Sequence, residues 1–465
     1  MKILSFSVSN HRSFRDGFFL DLTNGTLKTN TLRPGEEWTD YTLPVAGIFG
    51  ANAAGKTAVI DAFHYVESAI TNSGTAWQGF PNMLRAPFVL DAESEREQST
   101  YGLDFVLDLE DEFPGIPKGQ YRFWYEFAVD QKGVVGEHLD IYKSRRPTLL
   151  FDRHREGGNT PLKLGHGMGS IEVAPKELVL SRALQLDKGL LSEIANKILG
   201  YLTIYRVGDR AMQRRLDSIA TELKSGDLQL DDLVSLARVA DVGIEKIFVE
   251  ETEAPADFLK FVRALNRTMQ QQSSADNQEE SLKPEDIDEN LIIRSLRFKH
   301  RSNGNSAHKF ELADESSGTL AWLALAVDVV TRLREGGVLC VDELDTSLHP
   351  YLAALVVSVF QSPEYNPHGA QLVFTSHDTT LLGQQSETNL SKRQVWYVEK
   401  DSNGVSDLYS LGDFSDVSQK SNFAKQYLEG RFGGVPRVAP ALLWQLIHKD
   451  DSKVASSSEM VTADV

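Results

Sequence analysis

The run Gly50-Ala51-Asn52-Ala53-Ala54-Gly55-Lys56-Thr57 sets a lysine and a hydroxyl directly behind a loop that has glycine near both ends. The chemistry open to such a loop is the grip of a polyphosphate. Gly50 and Gly55 let backbone N–H groups turn inward, and a following helix adds the positive end of its dipole. Lys56 would reach the β and γ phosphates of ATP, and Thr57 would ligate Mg2+. Far downstream, Val338-Leu339-Cys340-Val341-Asp342-Glu343 carries two carboxylates to the end of an apolar run. Asp342 suits the Mg2+ shell, directly or through water, and Glu343 could orient or deprotonate an attacking water. Gln371 to Asp378 is a strand pattern ending in Ser-His. It sets His377 at the same sheet edge as Glu343, where an imidazole can hydrogen-bond a γ-phosphate; for a lone histidine the alternative is a structural role. Asp314-Glu315-Ser316-Ser317-Gly318-Thr319 precedes the apolar helix pattern Leu320 to Leu333. Read alone it is a helix N-cap, and read with the other segments it is an anion site.

These residues need particular elements to hold them. Leu4, Phe6 and Val8 alternate with serines, so the chain opens on a strand. Val45 to Phe49 reads as a buried strand feeding the glycine loop, and Val59, Ile60, Phe63, Val66 and Ile70 recur at helical spacing behind it. Strand, loop and helix are the context a P-loop requires. Tyr101 to Leu109 and Tyr121 to Val129 read as antiparallel strands, with a turn at 130–133 and a core stripe of Phe123, Tyr125 and Phe127. Helical spacing in Leu190 to Leu202 and Leu216 to Leu236 predicts a helical insertion, followed by an acidic linker at 271–290. Strands at Leu339 to Val341, Leu372 to Phe374 and Val395 to Val398 alternate with helices in the last third. The expected organisation is an α/β fold in four parts. Residues 1–180 form a first lobe with the P-loop and an antiparallel β subdomain, and 181–290 the helical insertion and linker. Residues 291–436 form a second lobe, and 437–465 a C-terminal extension with a flexible tail.

The chain has 465 residues, 41% apolar and 25% charged, as an ordinary globular protein of about two to four domains has. Its net charge of −18 disfavours a whole-surface attraction to nucleic acid. Three basic clusters remain: Lys143, Arg145, Arg146, Arg153 and Arg155; Arg206, Arg210, Arg214 and Arg215; Arg294, Arg297, Lys299 and Arg301. Each is a solvated face or partner surface, or else a DNA or RNA contact. The single cysteine, Cys340, fits a reducing compartment. No signal peptide and no membrane span is evident, the longest apolar stretch, Leu320 to Val330, being interrupted by Asp328. A cytoplasmic protein that does not engage membranes is expected.

In their order along the chain, these segments resemble the ABC-type ATPases of the RecF, SMC and OLD-like branch. Asn52 matches that branch's Gly-x-Asn-Gly-x-Gly-Lys pattern, with Ala53 in place of the second glycine. Ser9-Asn10-His11-Arg12-Ser13-Phe14 looks like its Asn-Phe-Arg-Ser-Phe motif, with His11 for Phe. The resemblance implies an ABC/RecF-like P-loop ATPase head of mixed sheet, with Arg12 and Ser13 near the nucleotide. More narrowly, Glu315 to Thr319, Asp342 to Pro350, Thr375 to Asp378 and Tyr427 to Pro436 look like the AAA/RecF-like ATPases of bacterial anti-phage defence, relatives of RloA, the AbiL ATPase and AriA of the PARIS system.

The resemblance further implies a head-to-tail dimer or higher homo-oligomer with two ATP molecules at its interface. Ser316, Ser317 and Gly318 of one copy would cap the γ-phosphate held by Lys56 of the other, and Asp345 would couple the two sites. The segment reads Glu-Ser-Ser-Gly-Thr where transporters have Leu-Ser-Gly-Gly-Gln, so the donor of that contact is open. Gln98 is either a Mg2+-sensing glutamine or a surface residue. Only a short stretch follows Pro436, and no zinc spacing or nucleophile elbow is present. A nuclease or toxin effector is therefore expected on a separate chain, with a phage product as trigger. The alternative is a RecF-like DNA-repair ATPase.

Overall fold

The computed structural model describes residues 1–25, 27, 30–156, 161–165, 170–186, 189–206, 208–226, 228–240, 243–253, 292–301, 308–383, 388–435 and 439–447. In chain order the strands and helices begin with β1 (Lys2–Ser9), β2 (Phe18–Asp21), β3 (Val45–Gly50) and α1 (Lys56–Asn72). Then come β4 (Ser99–Leu109), β5 (Gly119–Asp130), β6 (Gly133–Tyr142), β7 (Thr148–His154) and β8 (Leu162–Leu164). The middle of the chain forms α2 (Val179–Leu186), α3 (Leu190–Tyr201), β9 (Leu202–Tyr205), α4 (Asp209–Ser225), α5 (Leu230–Val239), β10 (Ile244–Glu253) and β11 (Ile292–His300). Last come α6 (Ser317–Glu335), β12 (Val338–Val341), α7 (Pro350–Gln361), β13 (Gln371–Ser376), β14 (Val395–Lys400), β15 (Ser406–Ser410), α8 (Phe423–Leu428) and α9 (Pro440–Ile447).

Two large sheets organise the molecule. One is antiparallel, in the order β2-β1-β4-β5-β6-β7-β8. Its inward stripe includes Phe123, Tyr125 and Phe127, all buried. Cross-strand partners Phe105 and Phe123 stack at 5.4 Å, and Tyr101 and Phe127 at 5.1 Å. Each such pair contributes about 0.5–1.5 kcal/mol beyond its buried area.

The other sheet runs β15-β14-β3-β13-β12-β9, parallel except for the edge strand β15. Its inner strands are apolar on both faces, as strands covered on two sides must be. Ala46, Ile48, Cys340 and Val373 face a core shared with α1 and the antiparallel sheet. Val45, Phe49, Leu339, Val341, Leu372 and Phe374 face a second core under α6 and α7. Helix α1 lies in the first core through Val59, Ile60, Phe63, Val66 and Ile70, and Phe63 stacks on Phe6 of β1 at 4.0 Å. Buried Gln371 stitches the sheets together. Its side chain accepts from the Ile3 amide at 2.6 Å and donates to the carbonyls of Ile3 and Leu43.

The expected helical insertion at 181–290 is redrawn. Helices α2 and α3 pack into the first core, and β9 is an edge strand of the parallel sheet, hydrogen-bonded to β12. These residues therefore belong to the sheet layer, leaving α4, α5 and the β10–β11 pair over α6 in the second core. The break between α4 and α5 falls at Gly226, which adopts φ 87°. The expected linker at 271–290 and the tail beyond 447 lie outside the described residues, as does Pro436. Among the described residues no helix is long and apolar enough to cross a membrane.

Candidate functional site

In a parallel sheet, the C-terminal ends of the strands share one edge, and there ligands gather. Here that edge collects the loop after β3, the residues after β12 and β13, and Arg206 after β9. A cavity of about 830 Å3 opens on it, lined by Arg12, Asn52, Gly55, Lys56, Thr57, Glu343 and His377, with Asp61, Arg206 and Lys400.

Both glycines of the loop have a steric reason. A Cβ on Gly55 (φ 121°) would sit 2.6 Å from Ser406 Oγ and 2.8 Å from Ser13 Oγ, and one on Gly50 would sit 2.4 Å from Val398 O. Ser13 and Ser406 thus close on the loop from opposite ends of the chain. The Ser406 hydroxyl donates to Ala54 O, and its amide to Ser13 O at 2.7 Å. Gly434 lies against the root of the loop: a Cβ on it would sit 3.8 Å from the Gly50 Cα. Ala53 adopts φ 59°, a left-handed conformation.

Lys56 Nζ donates to Gly50 O (2.9 Å) and Ala51 O (3.0 Å) and lies 3.2 Å from His377 Nδ1. Burial pushes its pKa down to about 8, against the opposing charges of Glu343, Asp345 and Asp342. An ammonium can only donate. His377 Nδ1 must then accept, which puts the ring proton on Nε2. That nitrogen lies 3.9 Å from Glu343 Oε1.

Thr375, fully buried, holds both acidic residues. Its hydroxyl donates to Asp342 Oδ1 at 2.8 Å and accepts from the Glu343 amide at 2.7 Å. Burial raises the Asp342 carboxyl above its ordinary value, against hydrogen bonds from Thr375 and Thr57. Glu343 has φ 51°, and its Oε2 accepts from the Thr346 hydroxyl at 3.0 Å. Both oxygens of Asp345 lie within reach of the His377 amide (3.2 and 3.3 Å), so Asp345 holds the turn that carries the imidazole.

The remaining expected residues are placed elsewhere. Ser316 N-caps α6, accepting from the Thr319 amide at 3.1 Å. Ser317 lines a second cavity of about 170 Å3, shared with Glu343, Thr346 and Ser347, and a Cβ on Gly318 would sit 2.9 Å from Ser347 O. Gln98 is exposed at the foot of β4, and among the described residues no hydrogen bond joins its side chain to Thr57 or Asp342. Asp61, Arg206, Lys400 and Ser406 were not foreseen as site residues. Asp61 was within reach, because it lies one helical turn after Thr57 and so on the same face of α1.

Seven residues of the basic clusters pair with acids. Arg153 is buried against Glu137 (2.9 Å), and Arg155 pairs with Asp130 (2.7 Å). Arg206 pairs with Asp61 (3.1 Å) and Arg215 with Asp328 (2.7 Å). On the β10–β11 pair, Arg294, Arg297 and Lys299 meet Glu251, Glu250 and Glu245 across the strands.

A family model described as "AAA domain, putative AbiEii toxin, Type IV TA system" matches residues 45–383. The chain belongs to this family. No curated protein matches it. Among solved structures it is similar to an Smc head bound to the C-winged helix domain of ScpA, at 12% identity, covering 88% of this chain and 97% of that one, with a TM-score of 0.42. An Smc head with an extended coiled coil from Pyrococcus furiosus gives 12% identity, 88% and 96% coverage and a TM-score of 0.38. The recombination mediator protein RecF gives 12%, 87%, 97% and 0.34.

Proposed function

We propose that this AAA-family chain binds ATP with Mg2+ and hydrolyses it at the Lys56–Glu343–His377 site. The observation that carries this reading is the convergence of Lys56, Glu343 and His377, from three separate strand ends, on one cavity behind a glycine loop. The residues fit the nucleotide. Gly55 leaves no room for a side chain between Ser13 and Ser406, which fixes the loop, and Asn52, Lys56 and Thr57 line the cavity it borders. Thr57 and Asp342 would hold Mg2+, which when bound would neutralise charge on the phosphates. In hydrolysis Glu343 takes a proton from the attacking water, and His377 donates from Nε2 to the terminal phosphate. Lys56 stabilises the charge developing there.

On this reading Ser316 to Gly318, which lie off the Lys56 cavity in their own chain, serve the cavity of a second copy arranged head to tail. Asp345, which accepts from the His377 amide, would couple the two sites. The family's description and the narrower likeness to RloA, the AbiL ATPase and AriA support a role in anti-phage defence. The ATP-dependent homo-oligomer would restrain or recruit a separately encoded nuclease or toxin until a phage-derived trigger releases it. The ion-paired basic clusters weigh against a DNA-repair role.

Two experiments test this. Phage plaquing on cells carrying the intact operon should show protection that Lys56→Ala removes; protection that survives loss of nucleotide binding would sink the defence mechanism. Glu343→Gln should bind ATP yet turn it over at least ~100-fold more slowly, as loss of a general base does. A wild-type rate would show that Glu343 is not the base.

A further inference from the structure

Arg206 lines the nucleotide cavity, although it comes from a strand that none of the phosphate-binding motifs includes. It directly follows Tyr205, whose carbonyl accepts the Asp342 amide at 3.0 Å, so its backbone runs beside the acidic pair. Its guanidinium Nη2 lies 3.1 Å from Asp61 Oδ1, while Arg12 Nε donates to Asp61 Oδ2 at 2.7 Å. The carboxylate between them is buried, with a 9% exposed side chain, whereas the side chains of Arg12 and Arg206 are 55% and 37% exposed. Burial pushes the Asp61 carboxyl up, but His11, whose Nε2 lies 3.3 Å away, and the Arg12 hydrogen bond and charge hold it well below the usual carboxylate range. Asp61 is therefore a fixed anion at the cavity wall. A guanidinium has five N–H donors in a rigid fork, so a single bond to Asp61 leaves each arginine with donors for a second anion.

We propose that Arg206, held to Asp61 beside Arg12, reads the nucleotide's terminal phosphate and relays its presence to α4. This rests on the ATPase reading above. Asp61 lets two cations stand side by side without a ligand and aims both forks before the ligand arrives. The Arg206 backbone runs beside Asp342, assigned to Mg2+, and its side chain shares the cavity with Glu343 and His377, assigned to the attacking water and the terminal phosphate. Two residues on, Gly208 N-caps α4. Gly208 and Met212 line the second cavity together with Ser317 and Ala321 of α6. Arg215 of α4 is clamped to buried Asp328 of α6 at 2.7 Å. A shift of Arg206 toward a phosphate thus acts on the helix bolted to the Ser316–Gly318 segment.

The test measures ATP and ADP affinity by calorimetry for the wild-type chain, Lys56→Ala, Arg206→Ala, Arg206→Lys and Asp61→Asn, with melting temperature for each. Arg206→Ala should weaken ATP by about ten-fold or more, the scale of a lost charge-assisted hydrogen bond, and ADP much less. Arg206→Lys should recover part of the loss. Asp61→Asn is the sharper variant. It removes a negative charge from the wall, so simple Coulomb attraction would tighten ATP, whereas loss of the anchor should weaken it. In hydrogen exchange, ATP should protect α4 and the start of α6 in the wild type and not in Arg206→Ala. An unchanged ATP-to-ADP ratio in Arg206→Ala overturns the proposal, including when the variant melts lower, because that is a structural ion pair alone. Tighter ATP binding by Asp61→Asn also overturns it. If the wild-type chain binds neither nucleotide, the ATPase reading itself falls; if it binds both and only the ratio fails to move, that reading stands and the role of Arg206 alone is wrong.

Discussion

Ala53 occupies a backbone conformation that favours glycine, at φ 59°, inside the phosphate loop. A left-handed alanine costs about 1–2 kcal/mol, partly offset by the entropy that glycine would lose on folding. The side chain is exposed, so removing its methyl leaves no void. Ala53→Gly should therefore stabilise the chain by a few tenths to about 1 kcal/mol in denaturant melts while nucleotide binding persists. Thr375 presents the opposite case. One fully buried hydroxyl satisfies the Asp342 carboxylate and the Glu343 amide together. Thr375→Val keeps the volume but strands both partners. It should cost about 2–4 kcal/mol by chemical denaturation and depress turnover, with Thr375→Ser restoring most of both. At this scale the motif residues were legible because each motif reports its own chemistry. Thr375 was quoted only as part of the strand that presents His377; nothing local marks a threonine as the bracket between two carboxylates.

The elements show where reading by periodicity stops. β3, α1, β5 and β13 carry clear apolar patterns and form where those patterns predict. β9 does not announce itself. Leu202-Thr203-Ile204-Tyr205 follows α3 directly, and Gly200 in the last turn of the helix is the one break in an apolar run that otherwise continues at helical spacing to Leu202. Only the long-range pairing with β12 turns it into a strand, and with it Arg206 moves from a surface cluster to the site. Arg153 was misplaced for a related reason. In a β-rich stretch its charge suggested a surface, yet it lies buried with Glu137, whose carboxylate also accepts from Tyr125 Oη and the Val179 amide. Burial raises the Glu137 carboxyl above its ordinary value, and the Arg153 charge opposes this. Arg153→Met should destabilise the antiparallel sheet by about 3–5 kcal/mol, because it leaves that carboxylate buried without its cation. Urea melts would show it. A loss of nucleic-acid binding without a stability change would instead restore the surface reading.

For the whole molecule, the prediction concerns assembly. If the Ser316–Gly318 segment serves another copy's cavity, then Glu343→Gln with ATP and Mg2+ should shift the mass measured by light scattering to at least a dimer. The same variant with ADP, or Lys56→Ala with ATP, should stay at the unliganded mass. The net charge of −18 makes this assembly sensitive to ionic strength, since like-charged copies repel more weakly as salt rises.

The clasp around the glycine loop bears on where the working unit begins and ends. The span matched by the family model, 45–383, holds every residue assigned to the chemical step. Yet Ser13 and Ser406 close on Gly55, Arg12 lines the cavity, β14 borders β3, and Gly434 rests beside Gly50, all from outside that span. The catalytic parts list and the foldable object are therefore different lengths of chain. An excision cut to the family boundaries would keep the lysine and lose the walls that hold it in place. Expressed alone, it should bind nucleotide poorly whatever its motifs promise, and adding back the flanks through residue 435 should restore the grip.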